Sequence, residues 1–415
     1  MAGSLNLTKG TDYEYSYTNN TNVGTAKVIV TFQGTYASLG YVEKEFKIVK
    51  SMTNNDISIT IPSQTWTGNE LTPVITVKDG ENVLTENTDY TVTPPSGPIQ
   101  DSGNHAYTIT GMGNYSDSKE ATFTISPRLA RQAGAVYIYQ DQNGMTALLD
   151  GTSVVAVDID FNHNIIVDHV TSNRVFTPGM ASTVMLPFNY TCNGNEGGTF
   201  YKFVGVKKEN DKWVATMQET GNDTNKQGTL EANTPYLFMP AATTMTFPNI
   251  NGSVRLFTRD GGSGGNCETA DPGSHWTFKG TYWFKEWNSN DYNDAEELGR
   301  AYGFAGVAQT DINVGDFVKV KSGAKIRPMR AYLIWNDTPN SDGDAPSNNG
   351  LVLTLPEHFK ILSVDGQPYT GNGQDLSKGS TIVIELEAGY SATNVEATEG
   401  STLPSEIPDY DDYIE

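Results

Sequence analysis

The sequence predicts an all-β chain built of sandwiches, and three observations carry that expectation. Charged residues make up only 18% of the chain. Thr, Asn, Gly, Ser and Tyr fill the gap, and such residues favour strands and tight turns over helices. Apolar and polar positions also alternate with a period of two. Ala26, Val28, Val30 and Phe32 share one face against Lys27, Ile29 and Thr31, and Tyr107 and Ile109 alternate with Thr108 and Thr110. That pattern is the signature of half-buried antiparallel strands. Finally, Gly and Asn clusters bound these runs at intervals of about 8–12 residues, the spacing of a small sandwich.

The first segments owe their strand assignment to an internal repeat. Leu7-Thr8-Lys9-Gly10-Thr11-Asp12-Tyr13 and Leu84-Thr85-Glu86-Asn87-Thr88-Asp89-Tyr90 both read L-T-x-x-T-D-Y. Further on, Gly24 matches Gly103, and Gly34-Thr35-Tyr36 matches Gly113-Asn114-Tyr115. The copies close with Phe46-Lys47-Ile48 and Phe123-Thr124-Ile125. Their offset is 77 residues at the ends and 79 in the middle, so a two-residue insertion in one copy is made up by a two-residue insertion further on in the other. The second copy carries a leading half, from Ile57-Ser58-Ile59-Thr60-Ile61 through Trp66-Thr67-Gly68-Asn69 to Asp79-Gly80, a hairpin signal. The first copy has no such half. It is expected to begin mid-domain and to present a bare edge.

The G-x-Y followed by F-x-I in each copy resembles the bacterial immunoglobulin-like repeats that stand in tandem on large surface proteins. The resemblance covers about residues 5–127 and implies a partial repeat over 5–50 and a complete one over 51–127. Its implied role is a spacer or stalk, with no catalytic residue to carry over.

Pro127 and Arg128 mark a change of texture, and a larger β-sandwich module is expected over 129–337. Val136, Ile138 and then Val154, Ala156 and Asp158 open its strand series. The segments Ser182-Thr183-Val184-Met185-Leu186-Pro187-Phe188, Ala232-Asn233-Thr234-Pro235-Tyr236 and Pro328-Met329-Arg330-Ala331-Tyr332 follow in order. That ordered set resembles a C-terminal module of repeat-bearing surface proteins of Gram-negative gut and rumen anaerobes. The resemblance implies a β-rich extracellular domain and brings no catalytic motif. After a polar linker at 336–350, a small β unit is expected over 351–402 and an acidic tail over 403–415.

Charge narrows the function classes. Lys and Arg number 27 against 49 Asp and Glu, a net charge of −22. Nucleic-acid binding needs clustered cations, so no nucleic-acid partner is expected. No apolar run approaches about 18 residues, so no membrane insertion is expected in this segment. Met1-Ala2-Gly3-Ser4 reads as an added start, so an export signal is expected to have been removed.

Candidate chemistry is sparse. The adjacent Glu296 and Glu297 would face opposite sides of a strand, and Asp158 and Asp160 sit in an alternating run, so neither pair reads as a glycosidase dyad. Asp158-x-Asp160-x-Asn162-x-Asn164 fails as a calcium loop, because His163 and His169 occupy the positions that need Gly and Glu. The better calcium candidate is Asp337, Asn340, Asp342 and Asp344, whose hard oxygen atoms lie on a Gly-bearing loop; otherwise no cofactor is expected. No histidine pair has zinc spacing, and neither a nucleophile elbow nor a phosphate loop occurs. Cys192 and Cys267 either form a disulfide, which would stabilise the fold by roughly 4–5 kcal/mol, or stay as two buried thiols.

One dense aromatic cluster spans residues 275–287. Exposed rings there would stack on sugar faces, making Trp276, Tyr282, Trp283 and Trp287 the carbohydrate-binding candidates; the competing expectation is that Trp276, Phe278 and Tyr282 are core and Trp283 caps an edge. The sequence reads as a non-catalytic structural or adhesive segment of a modular, secreted or surface-held bacterial protein. Its partners would be polysaccharide or a host or bacterial surface protein. The alternative is a carbohydrate-binding module built on the aromatic cluster.

Overall fold

The computed structural model describes residues 6–161, 165–209, 212–220, 228–250, 252–258, 266–305, 316–336 and 351–354, with the strands Phe359–Val364, Gln367–Pro368, Ile382–Leu386 and Tyr413–Ile414. The fold is all-β. Two short helical turns, Gly34–Leu39 and Tyr292–Glu297, interrupt the strands among the described residues. The chain divides into two compact units, one of residues 1–128 with 140–142 and one of residues 129–139 with 143–415.

In the first unit, Tyr13–Thr18, Gly24–Phe32 and Tyr41–Ile48 form an antiparallel meander. Gln64–Thr65, Ser118–Ser126, Gly103–Gly111 and Tyr90–Thr93 form a four-stranded sheet, and Ile57–Thr60, Thr76–Asp79 and Asn82–Val83 a three-stranded one. Met52, Ile57, Val77, Tyr107, Ile109, Phe123 and Ile125 pack into one core between them. The hairpin signalled by Asp79-Gly80 is present, with Gly80 at φ 57°.

The two L-T-x-x-T-D-Y segments fold alike, and the physics explains the shared letters. The Thr8 amide donates to Asp12 Oδ2 at 2.8 Å, and the Thr85 amide donates to Asp89 Oδ2 at 2.8 Å. The Asp12 amide returns a bond to the Thr8 carbonyl, and Asp89 to Thr85, each at 2.8 Å. Gly10 and Asn87 occupy the same left-handed position, at φ 86° and 62°. Gly and Asn are the residues that enter that region at least cost. A Cβ on Gly34 would lie 2.9 Å from the Thr11 carbonyl oxygen, and one on Gly113 would lie 2.8 Å from that of Thr88. Backbone approach therefore demands the glycine of each G-x-Y. Burial differs sharply between the segments. Phe123 is fully buried, whereas its counterpart Phe46 is 38% exposed, and Ala26 is the one buried residue described between 6 and 48.

The second unit is layered. One five-stranded sheet has the order Ser182–Met185, Pro235–Pro240, Gly198–Glu209, Lys212–Glu219, Val352–Thr354. A second has the order Glu268–Ala270, Trp276–Thr281, Arg330–Trp335, Ala301–Phe304, Phe317–Lys319. Tyr201, Phe203, Met217 and Leu237 of the first sheet pack against Trp276, Phe278, Tyr302, Phe317 and Leu333 of the second. Along Pro235–Pro240, Tyr236 and Phe238 point the other way, into a core shared with Val136, Ile138, Ala147 and Leu149. Tyr332 and Ile334 likewise turn from the sandwich to pack with Trp287, Ala301 and Val320. Both five-stranded sheets are thus covered on both faces, which is why their strands read as continuous apolar runs.

Two expectations fail here. Val154 to Asp160 forms no strand, and Val154 and Val157 are 65% and 62% exposed. Its backbone bonds go elsewhere: the Asp158 carboxylate takes the Ile159 amide at 2.7 Å, and the Val155 carbonyl takes the Phe284 amide at 2.9 Å. The second correction lies at the far end of the unit. Val352–Thr354 pairs in parallel with Lys212–Glu219 and so belongs to the sandwich instead of to a separate C-terminal unit.

Candidate functional site

The aromatic cluster is core. Trp276, Tyr282 and Trp287 are 1%, 0% and 2% exposed, so their faces are closed to a sugar, and Trp283 alone of the four is half-buried. Trp276–Thr281 is an interior strand with strands on either side and layers on both faces, which leaves its rings no solvent side. The Tyr282 hydroxyl donates to Asn233 Oδ1 at 2.8 Å. The carbohydrate site expected at these residues is therefore corrected.

Cys192 and Cys267 are two buried thiols, not a disulfide. Burial, reinforced by the Glu196 charge, pushes the Cys192 thiol up to about 12, which makes it an inert packing group. The calcium candidates Asp337, Asn340, Asp342 and Asp344 lie outside the described residues. Among the described residues, no group of three or more His, Cys, Asp or Glu is placed to hold a metal ion.

The structure instead builds two charged sites from residues that the sequence keeps apart. The first is centred on Glu297, at the end of the helix Tyr292–Glu297. Asp291 caps that helix by accepting the amides of Asn293 and Asp294, which fixes where the turn starts. Glu297 is only 8% exposed, yet every side of its carboxylate is met. Lys285 Nζ lies at 2.9 Å and Lys279 Nζ at 3.2 Å. Trp287 Nε1 donates at 2.9 Å, and the Tyr332 hydroxyl donates at 3.1 Å. Burial alone would raise the Glu297 carboxyl, but the Lys285 bond, the Lys279 and Lys285 charges and the Trp287 bond together hold it below its ordinary value. A carboxylate so fully bonded is a clamp that pins the helix to the sheet. It has no capacity left to move a proton.

The second site is a cavity of about 840 Å³ within the second unit. Six cations line it, Arg174, Lys319, Lys321, Lys325, Arg327 and Arg330, and among the described residues no carboxylate does. Arg174 is 6% exposed, and its guanidinium bonds only neutral oxygens: the Thr183 carbonyl at 2.6 Å, the Met329 carbonyl at 3.4 Å and the Ser182 hydroxyl. It also lies 4.6 Å over the Phe176 ring. Arg330 and Lys319 are half-buried, and Lys321, Lys325 and Arg327 are exposed. Burial first, and then the neighbouring Arg327 charge, lower the Arg330 guanidinium to about 10. Phe176, Phe284, Trp287 and Phe304 supply aromatic wall. In a chain of net charge −22, this concentration of cations is a local reversal of sign.

Two of the sequence segments meet here. Thr183 Oγ1 donates to the Ala331 carbonyl at 3.0 Å and accepts the Ala331 amide at 2.9 Å. This reciprocal pair of bonds brings Ser182-Thr183 and Met329-Arg330-Ala331 together behind the cavity. The third segment supports them from one layer away: Pro235–Pro240 pairs with Ser182–Met185, and the Asn233 amide donates to the Leu186 carbonyl at 2.8 Å. Lys319 to Arg330 form one basic run of the sequence, and Arg174 joins them only through the fold. No protein-family model matches the chain, and neither a curated protein nor a solved structure matches it.

Proposed function

We propose that this chain is a non-catalytic structural or adhesive segment of a modular protein held on, or released from, a bacterial surface. The observation that carries the reading is the shared architecture of the segments around Leu7–Ile48 and Leu84–Ile125. Each uses the same capped turn, the same left-handed position and the same glycine against a carbonyl oxygen. Reuse of one small β unit along a chain is how spacers and stalks gain length. The acidic balance agrees, since a strong net charge keeps such a particle soluble and self-repelling.

A non-catalytic reading also draws on the buried acid. Glu297, the natural candidate for acid–base work, spends its oxygens on two lysines, a tryptophan and a tyrosine. The test is location. Antibodies raised against the purified chain should label intact cells that produce the parent protein, or detect it in their medium. Labelling that appears only after lysis would end the reading.

A further inference from the structure

We propose that the cationic cavity binds an acidic saccharide, one or two sugar rings carrying a carboxylate or a sulfate. The inference concerns this cavity alone and holds whether or not the chain is displayed at a surface.

Four observations lead to that ligand class. The cavity, at about 840 Å³, falls within the range of roughly 300–1,000 Å³ typical of small-molecule sites. It suits one or two rings rather than a folded partner. Its charge has a depth gradient: Arg174 is buried, Arg330 and Lys319 are half-buried, and Lys321, Lys325 and Arg327 are exposed. An anion would meet the exposed cations first and the more desolvated ones last, where each charge counts for more. The two deeper arginines hold planar guanidinium groups, which match the paired oxygens of carboxylate and sulfate better than an ammonium does.

The aromatic wall decides against a bare inorganic ion. Phe176, Phe284 and Phe304 stand beside the cations, and rings of this kind bury the apolar faces of a sugar while the cations take its acidic group. An extended acidic peptide fits less well. The strand that lines the cavity at the edge of its sheet, Phe317–Lys319, already has Phe317 bonded in both directions to Leu351, at 3.0 and 2.7 Å. Its ladder is thus partly taken.

Existing partners do not neutralise the site. Arg327 donates to the Thr152 carbonyl, and Lys325 reaches Glu286 at 3.5 Å at the exposed rim. Arg174 is held by carbonyl and hydroxyl oxygens. An incoming anion would therefore find positive charge to compensate.

Titration calorimetry on the whole chain tests this, with four probes at low and high salt. A digalacturonate carries carboxylates, a heparin-derived disaccharide carries sulfates, cellobiose is neutral, and tetra-aspartate is an acidic peptide. We expect at least one acidic disaccharide to bind, and the one that binds tells carboxylate from sulfate recognition. Binding should weaken with salt, by about tenfold in Arg330→Gln and by a few-fold in Lys319→Gln, since tenfold corresponds to ~1.4 kcal/mol. Lys319→Gln alters a half-buried residue and keeps the test open should Arg330→Gln fail to fold. Equal binding of cellobiose, binding of tetra-aspartate alone, binding untouched by either substitution, or no binding of either acidic disaccharide would each overturn the proposal.

Discussion

Two charged regions of the second unit stand back to back on Trp287 and obey opposite rules. On one side, Trp287 Nε1 donates to the Glu297 carboxylate, which two lysines and a tyrosine also meet. On the other, Trp287 lines a cavity with six cations, of which Lys325 alone has a carboxylate partner among the described residues, Glu286 at 3.5 Å. Both regions desolvate charge, which costs several kcal/mol per ion unless a partner offsets it. The clamp carries its own counter-ions. The cavity, apart from Lys325 at its rim, leaves its cations to neutral oxygens and solvent. That difference separates a charge kept for architecture from one open to a ligand.

The sharpest way to break the comparison is to remove the clamp. Glu297→Ala leaves Lys279 and Lys285 partly buried without their shared partner, although Lys285 keeps Asp294 at 2.9 Å and Lys279 keeps Glu268 at 3.6 Å. Truncating one member of a buried ion pair costs about 3–5 kcal/mol. Chemical denaturation of the variant should show a loss of that order. A loss below about 1 kcal/mol would mean that the cluster is solvated and that the contrast with the cavity is false.

A smaller loss is expected from Trp287→Phe. A six-membered ring stays, the pyrrole ring with its Nε1 donor goes, and the buried carboxylate is left one bond short beside a small cavity. A lost hydrogen bond to a charged group costs about 1.5–3 kcal/mol.

Acid should act on the clamp and spare the cavity. The Glu297 carboxyl is held below its ordinary value in the fold, so the unfolded chain binds the proton more readily. Its stabilising contribution is complete above the ordinary glutamate range and fades as pH falls through the folded value. In Glu297→Ala that part of the acid slope should be missing. A denaturation series between neutral and acidic pH, run on both proteins, reads the difference directly.

The sequence made the fold class legible through period-two runs such as Tyr107 to Thr110, because alternation records which face of a strand is buried. It also made the turns legible, since Gly34 and Gly113 answer to backbone contacts within their own copy of the repeat. The aromatic cluster was legible as a cluster and not as a surface. Whether Trp276 faces solvent depends on the strands at 268–270 and 330–335 that flank it, and on the layer beyond. The clamp at Glu297 was hidden for a related reason: its donors come from positions 279, 285, 287 and 332, so adjacency to Glu296 said nothing about its environment. The cavity was only half legible: residues 319–330 hold five cations and no carboxylate, a local basic run in an acidic chain, but Arg174 lies far from them and joins only through the fold.

The smallest expected effect is the most diagnostic. Arg330 is half-buried beside Arg327, and its guanidinium is lowered to about 10, first by burial and then by that neighbouring charge. A base whose folded value is depressed disfavours folding while it is charged, and stability rises as pH climbs through the folded value toward the unfolded one. Near neutral pH, Arg330→Gln should therefore leave stability within about 0.5 kcal/mol of the parent, the usual range for a residue that makes no indispensable contact, or raise it slightly. Removing a buried cation that served the architecture would do the reverse, as Glu297→Ala does for its acid. If Arg330→Gln instead lost several kcal/mol, the guanidinium would be a strut like the clamp, and the two sides of Trp287 would follow one rule.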